Sequence, residues 1–165
     1  MTASFDDLLA ANRKFAESFL HRGLEGRARA GIAVVTCMDA RIDPLAMLGL
    51  QVGDAKVVRN PGGRVDATAV EALVLAIHLL GVERVVIVRH TRCAMSSATL
   101  EEMRNRVGAS AGQDVAWQQI GVVADQEEAL RADVAALRAH PLVPGRVAVG
   151  GFVYDVDTGL LHQLD

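Results

Sequence analysis

The sequence predicts an α/β fold: a single domain over residues 1–165, with a mainly parallel central sheet of about four strands plus a C-terminal hairpin strand, flanked by helices. Three observations predict it. Short apolar runs of strand length recur at Ile32–Thr36, Ala55–Arg59, Val85–Arg89 and Arg146–Val153. Helical patterns separate them, at Asp66–Leu80, from Thr99 onward and at Ala124–Ala139. The strand runs do not alternate between apolar and polar residues, as half-exposed strands do, and so read as strands covered on both faces.

Each element has its own signal. Ser4 to His21 reads as a helix, with Phe5, Leu8, Leu9, Phe15, Phe19 and Leu20 on a stripe interrupted by Asn12, and Gly23 and Gly26 end it. Residues 1–30 thus form an N-terminal helical arm. The first strand, Ile32–Thr36, leads into a short turn-helix and then the second strand. Asn60-Pro61-Gly62-Gly63 is a turn. Asp66 caps the next helix and Gly81 lies beyond its end. That helix is apolar nearly all round from Val70 to Leu80, apart from Glu71 and His78, and is expected in a subunit interface. Thr99-Leu100-Glu101-Glu102 matches a capping box. Gly108 to Gly112 reads as a small-residue loop, and Leu130, Val134 and Leu137 mark the core face of the last helix, which Pro141 ends. Asp155 to Gly159 reads as a hairpin turn after the last long strand.

Composition narrows the function. The chain is 51% hydrophobic and 22% charged, the balance of a soluble globular protein. A net charge of −3 with no Lys/Arg cluster gives no electrostatic support for a nucleic-acid or anionic-membrane partner. The start, MTASFDDLLAANRKF, carries acids where a secretory leader has basic residues, and no apolar run is long enough to span a bilayer. A cytoplasmic location is the expectation. In a reducing compartment the two cysteines, Cys37 and Cys93, are metal ligands or reactive thiols before they are a disulfide, although small buried thiols would fit as well.

The company these cysteines keep decides between those readings. VVTCMDARIDP places Cys37, Asp39 and Arg41 at i, i+2 and i+4 where the first strand ends. A thiol, an acid and a guanidinium in a row are not what a strand end needs for folding. The third strand ends in Arg89-His90-Thr91-Arg92-Cys93, an H-x-x-C pair on a tight turn. If the first and third strands are neighbours, their C-terminal ends flank the crevice where open α/β sheets bind ligands, and Cys37, His90 and Cys93 meet. Two thiolates and an imidazole suit zinc and leave a fourth position for water or a carboxylate.

Cys37-x-Asp39-x-Arg41 together with His90-x-x-Cys93 resembles the β-class carbonic anhydrases. The resemblance extends over Ile32 to Cys93, through VVTCMDARIDPLAMLGLQVGDAKVVRNPGG and LLGVERVVIVRHTRC, and is strongest to a short bacterial branch. It implies one Zn²⁺ per chain held by Cys37, His90 and Cys93, with water or Asp39 as fourth ligand. It also implies reversible CO₂ hydration by attack of zinc hydroxide, giving bicarbonate. Arg41 would pair with Asp39 and hold it off the metal, since a guanidinium fork binds a carboxylate bidentately. Two thiolates offset the charge of the ion, so activity should rise with pH on the alkaline side. Gly62 and Gly63 would let the backbone pass close to the site, and the Ala94 N–H would touch a bound anion. Family members are dimers with the N-terminal helix over the partner, so a homodimer or higher homo-oligomer is implied.

The chain also departs from the family pattern. No glutamine lies in Arg27–Gly31, where many members carry one for substrate. Val34 stands where bicarbonate-inhibited members have tryptophan, Arg92 where a small or acidic residue is usual, and Pro61 where alanine is frequent. Other readings keep the scaffold and change the chemistry: hydrolysis of CS₂ or COS, or a zinc or thiol sensor without catalysis, which leaves Asp39 and Arg41 unexplained. A nucleotide-binding domain lacks both G-x-G-x-x-G and a P-loop. His21, His78, His140 and His162 are all candidate proton shuttles, and nothing selects one.

Overall fold

The computed structural model describes residues 4–164. The elements are α1 (Asp6–Glu17), β1 (Ile32–Cys37), β2 (Ala55–Asn60), α2 (Ala67–Leu79), β3 (Arg84–His90), α3 (Leu100–Ala111), α4 (Gln126–Arg138), β4 (Ala148–Tyr154) and β5 (Leu161–Leu164). One five-stranded sheet runs in the order β2-β1-β3-β4-β5. All neighbours are parallel except β4 and β5, which form the antiparallel hairpin expected at the C-terminus.

The central strands are apolar on both faces because both faces are covered. Every residue of β1 is buried. On one face Ala33, Val35, Val85 and Ile87 pack with Leu73, Ala76 and Ile77 of α2 and with Leu130, Val134 and Leu137 of α4. On the other, Ile32, Val34 and Val88 pack against Met47, Leu48, Phe152 and Tyr154. β2 is the edge strand, and its exposure alternates instead.

Capping follows the sequence closely. Asp66 accepts from the Ala69 N–H at 3.0 Å, and Asp125 accepts from the N–H groups of Glu127 and Glu128. Thr99 and Glu102 make a full capping box. One stretch differs from expectation. Gly108 to Gly112 is not a loop: α3 continues through Gly108 to Ala111, and only Gly112, at φ 67°, turns out of the helix. The reason is local. The capping box nucleates the helix, Ala109 and Ala111 propagate it, and Gly112 takes the left-handed conformation that closes helices, its N–H donating to the Gly108 carbonyl at 2.8 Å.

α1 is shorter at both ends than the Ser4–His21 reading and buries none of its residues. α2 buries Ala69, Leu73, Ala76 and Ile77 but leaves Leu75 and Leu79 exposed. Among the described residues, no helix is long and apolar enough to cross a membrane.

Candidate metal centre

β1 and β3 are neighbours, with Ile32 level with Arg84 and Thr36 level with Val88. Cys37 and His90 therefore lie just past the last residues that β1 and β3 pair with each other, at the C-terminal ends of two parallel strands. The chain beyond β3 turns back at once, so Cys93 closes on the same point. The Cys37 and Cys93 sulfurs lie 4.0 Å apart, and the ligand atoms of Cys37, His90 and Cys93 all fall within 4.8 Å of one another. Two thiolates on a tetrahedral zinc stand about 3.8 Å apart, given Zn–S bonds of about 2.3 Å.

All three residues are buried, walled by Ile42, Met47, Met95 and Tyr154. The His90 ring has one nitrogen fixed: Nδ1 donates to the Thr91 carbonyl at 2.9 Å. That leaves Nε2 with its lone pair toward the cysteines, buried and without a hydrogen-bond partner. An orphaned imidazole nitrogen beside two sulfurs fits a metal ligand, and the bond from the other nitrogen is the usual device that orients one. Burial also holds the His90 pKa below its ordinary value, keeping the ring neutral, and pushes the Cys93 thiol up. A thiol in that state is inert until a cation takes the place of its proton.

Asp39 sits over this triad. Its Oδ2 is 3.8 Å from His90 Nε2. Arg41 holds it with a fork: Nε donates to Oδ1 at 2.9 Å and Nη2 to Oδ2 at 2.7 Å, while the Arg41 backbone N–H donates to Oδ1 at 3.0 Å. The Arg41 bonds hold the Asp39 carboxyl well below the usual carboxylate range, against the opposing effect of burial. The acid is therefore an anion with its charge already spoken for.

The two glycines have different parts. The Gly62 N–H points at Cys37 Sγ, 3.4 Å away. Gly63, at φ 61°, passes so close to the strand ends that a Cβ there would lie 2.9 Å from the Val88 carbonyl and 3.0 Å from the Cys37 nitrogen. The close backbone approach anticipated from Gly62-Gly63 is present. Ala94 opens a short 3₁₀ turn, Ala94–Ser96, and borders a cleft under α3 with Met103 and Val107. His78 and His140 are engaged elsewhere: His78 Nε2 is 2.9 Å from the Leu142 carbonyl, and the Leu142 N–H donates to His140 Nδ1.

Comparison with known proteins decides what this arrangement belongs to. The carbonic anhydrase family model matches residues 32–161. β-Carbonic anhydrase 1 of Mycobacterium tuberculosis is 32% identical over 160 residues, covering 96% of each chain. The chain belongs to the β-carbonic anhydrase family. Reversible hydration of CO₂ on zinc is the reaction of that family, which makes this chain a lyase. The carbonic anhydrase structure from Streptococcus mutans superposes with a TM-score of 0.89 at 32% identity, over the whole of both chains. The carbon disulfide hydrolase of an Acidianus species is also similar, 32% identical over 79% of this chain and 75% of its own.

Three groups around this β-carbonic anhydrase site carry no signal in the local sequence. Arg59, at the end of β2, donates from Nε to the Cys37 carbonyl at 2.9 Å and from Nη2 to the Asp39 carbonyl at 2.6 Å. Gln126, at the start of α4, donates to the His90 carbonyl at 3.0 Å and is 2.9 Å from Ser96 Oγ. Arg89, 2% exposed, pairs with Asp133 of α4 at 2.8 Å and reaches the Gly62 carbonyl. Only their neighbours in the fold identify them.

Proposed function

We propose that the chain is a zinc carbonic anhydrase in which Asp39 and Arg41 control the fourth metal position. Cys37, His90 and Cys93 would hold one zinc ion per chain. The observation that carries this reading is the orphaned His90 Nε2, which faces two sulfurs 4.0 Å apart. When bound, zinc supplies a Lewis acid that acidifies water for attack on CO₂.

The chain's own residues do the rest. Asp39, ionised and clamped by Arg41, accepts a proton-bearing partner at Oδ2 and orients it. Asp39 also lies near enough to the triad to take the fourth position itself if the Arg41 fork lets go. Gly62 lends its N–H to Cys37 Sγ and moderates that ligand's charge. Thiolate charge favours activity that rises with pH on the alkaline side, and a profile flat from about pH 6 upward would count against it.

Full-length likeness to β-carbonic anhydrase 1, against partial likeness to the carbon disulfide hydrolase, favours CO₂ over CS₂ or COS. We assign the enzyme to the cytoplasm as a homodimer or higher homo-oligomer. Exposed Leu8, Leu9 and Phe15 on α1, with Phe5 at its N-cap, are left uncovered by the chain's own core and support an arm that packs on a second copy.

The test is stopped-flow CO₂ hydration with zinc content measured on the same sample and Asp39→Asn run beside it. The variant should keep its zinc and lose about 10²-fold or more in rate. Bound zinc without hydration would point to CS₂, COS or a sensor, and no zinc at all would refute the mechanism.

A further inference from the structure

Arg92 is the one non-glycine residue with positive φ among the described residues, at 53°. A long side chain in the left-handed region costs backbone energy that Gly or Asn would avoid. Two contacts account for its staying there. Its carbonyl accepts from Arg41 Nη2 at 3.1 Å, the same nitrogen that holds Asp39 Oδ2. Its guanidinium pairs with Asp157 in the turn between β4 and β5. That turn grips the neighbouring residue as well: the Val156 N–H donates to Thr91 Oγ1 at 3.1 Å and the Thr91 N–H to the Tyr154 carbonyl at 3.0 Å.

Both side chains of the Arg92–Asp157 pair are about 60% exposed, at 61% and 60%. An ion pair that open does little for folding. Its consequence is local: it fixes the one carbonyl outside the dyad that holds Arg41 Nη2.

We propose that Arg92 and Asp157 are positioning residues for the dyad, locking the Arg92 carbonyl where it holds Arg41 and so keeps Asp39 off the metal. The inference rests on the reading of Asp39 as a switchable ligand. Released from Asp157, the 91–93 turn relaxes toward ordinary backbone, Arg41 Nη2 loses an acceptor, and Asp39 competes for the fourth position. The turn between β4 and β5 thereby acts on the metal site through Arg92.

The probe is azide binding to cobalt(II)-loaded protein, followed by visible absorption. Azide needs the fourth position open. Arg92→Met removes the pair and has no preference for the left-handed backbone, and Asp157→Asn removes the pair from the other side. Each should weaken azide by about two- to five-fold, the range of an exposed ion pair, with an unchanged melting temperature. The swap Arg92→Asp with Asp157→Arg should recover the affinity. Both single variants binding azide like the parent would overturn the proposal, and so would a loss that the swap does not recover. A parent that takes up no cobalt overturns the metal-site reading itself, and this inference with it.

Discussion

Arg59 and Cys37 are level with neighbouring positions on β1 and β2, and the Arg59 side chain turns back to bind the carbonyls of both Cys37 and Asp39. The backbone that carries Cys37 and Asp39 is thus pinned from the edge strand. Arg59→Ala leaves two carbonyls without that partner. It should cost about 1–3 kcal/mol of stability and slow CO₂ hydration through a misplaced Asp39. Arg59→Lys cannot fork and should recover only part of either loss. Denaturant melts beside stopped-flow rates check both.

Gly63→Ala should damage the fold at the site. The added methyl would stand 2.9 Å from the Val88 carbonyl and 3.0 Å from the Cys37 nitrogen, both backbone, at φ 61°. The expected cost is about 1–3 kcal/mol, and zinc content should fall with it. Gly49→Ala is the control, since Gly49 has similar φ, 66°, with open space around it. Equal costs at the two positions would show that crowding at Gly63 is unimportant.

Metal retention should follow Cys93 rather than His90 as pH falls. Burial lowers the His90 pKa, so the ring is neutral and available where a free imidazole would begin to charge. Burial raises that of Cys93, so binding displaces its proton throughout the neutral range. Zinc affinity should therefore rise with pH by at least about tenfold per unit between pH 6 and 8. A chelator competition series measures this, and a slope near zero would contradict it.

Breaking the apolar face of α1 should dissociate the homo-oligomer proposed above. Phe15 is 58% exposed and Leu8 61%, on a helix that contributes nothing to the core. Leu8→Glu with Phe15→Glu should leave the sheet folded by circular dichroism and shift sedimentation to the monomer.

Much of the candidate site was legible because its residues fall in two short stretches. Cys37, Asp39 and Arg41 share one strand end, and His90 and Cys93 share one turn, so strand patterns and motif spacing locate them. The sheet was legible for the same reason, through apolar runs separated by helices. The small-residue stretch after Val107 was misread because composition says nothing of whether a capped helix runs on through a glycine.

The sequence by itself determined the α/β class, the family, and the two short motifs whose residues form the Cys37–His90–Cys93 cluster and the Asp39–Arg41 pair, since each motif spans only a few positions. Only the tertiary structure decided what supports them. Arg59 acts across 22 residues on Cys37, Gln126 across 36 on His90, and Asp157 across 65 on Arg92. Such contacts are set by strand register and by how α4 and the C-terminal hairpin close over β3. Neither a motif nor a periodicity encodes them, because hydrogen bonds depend on distance in space and not along the chain.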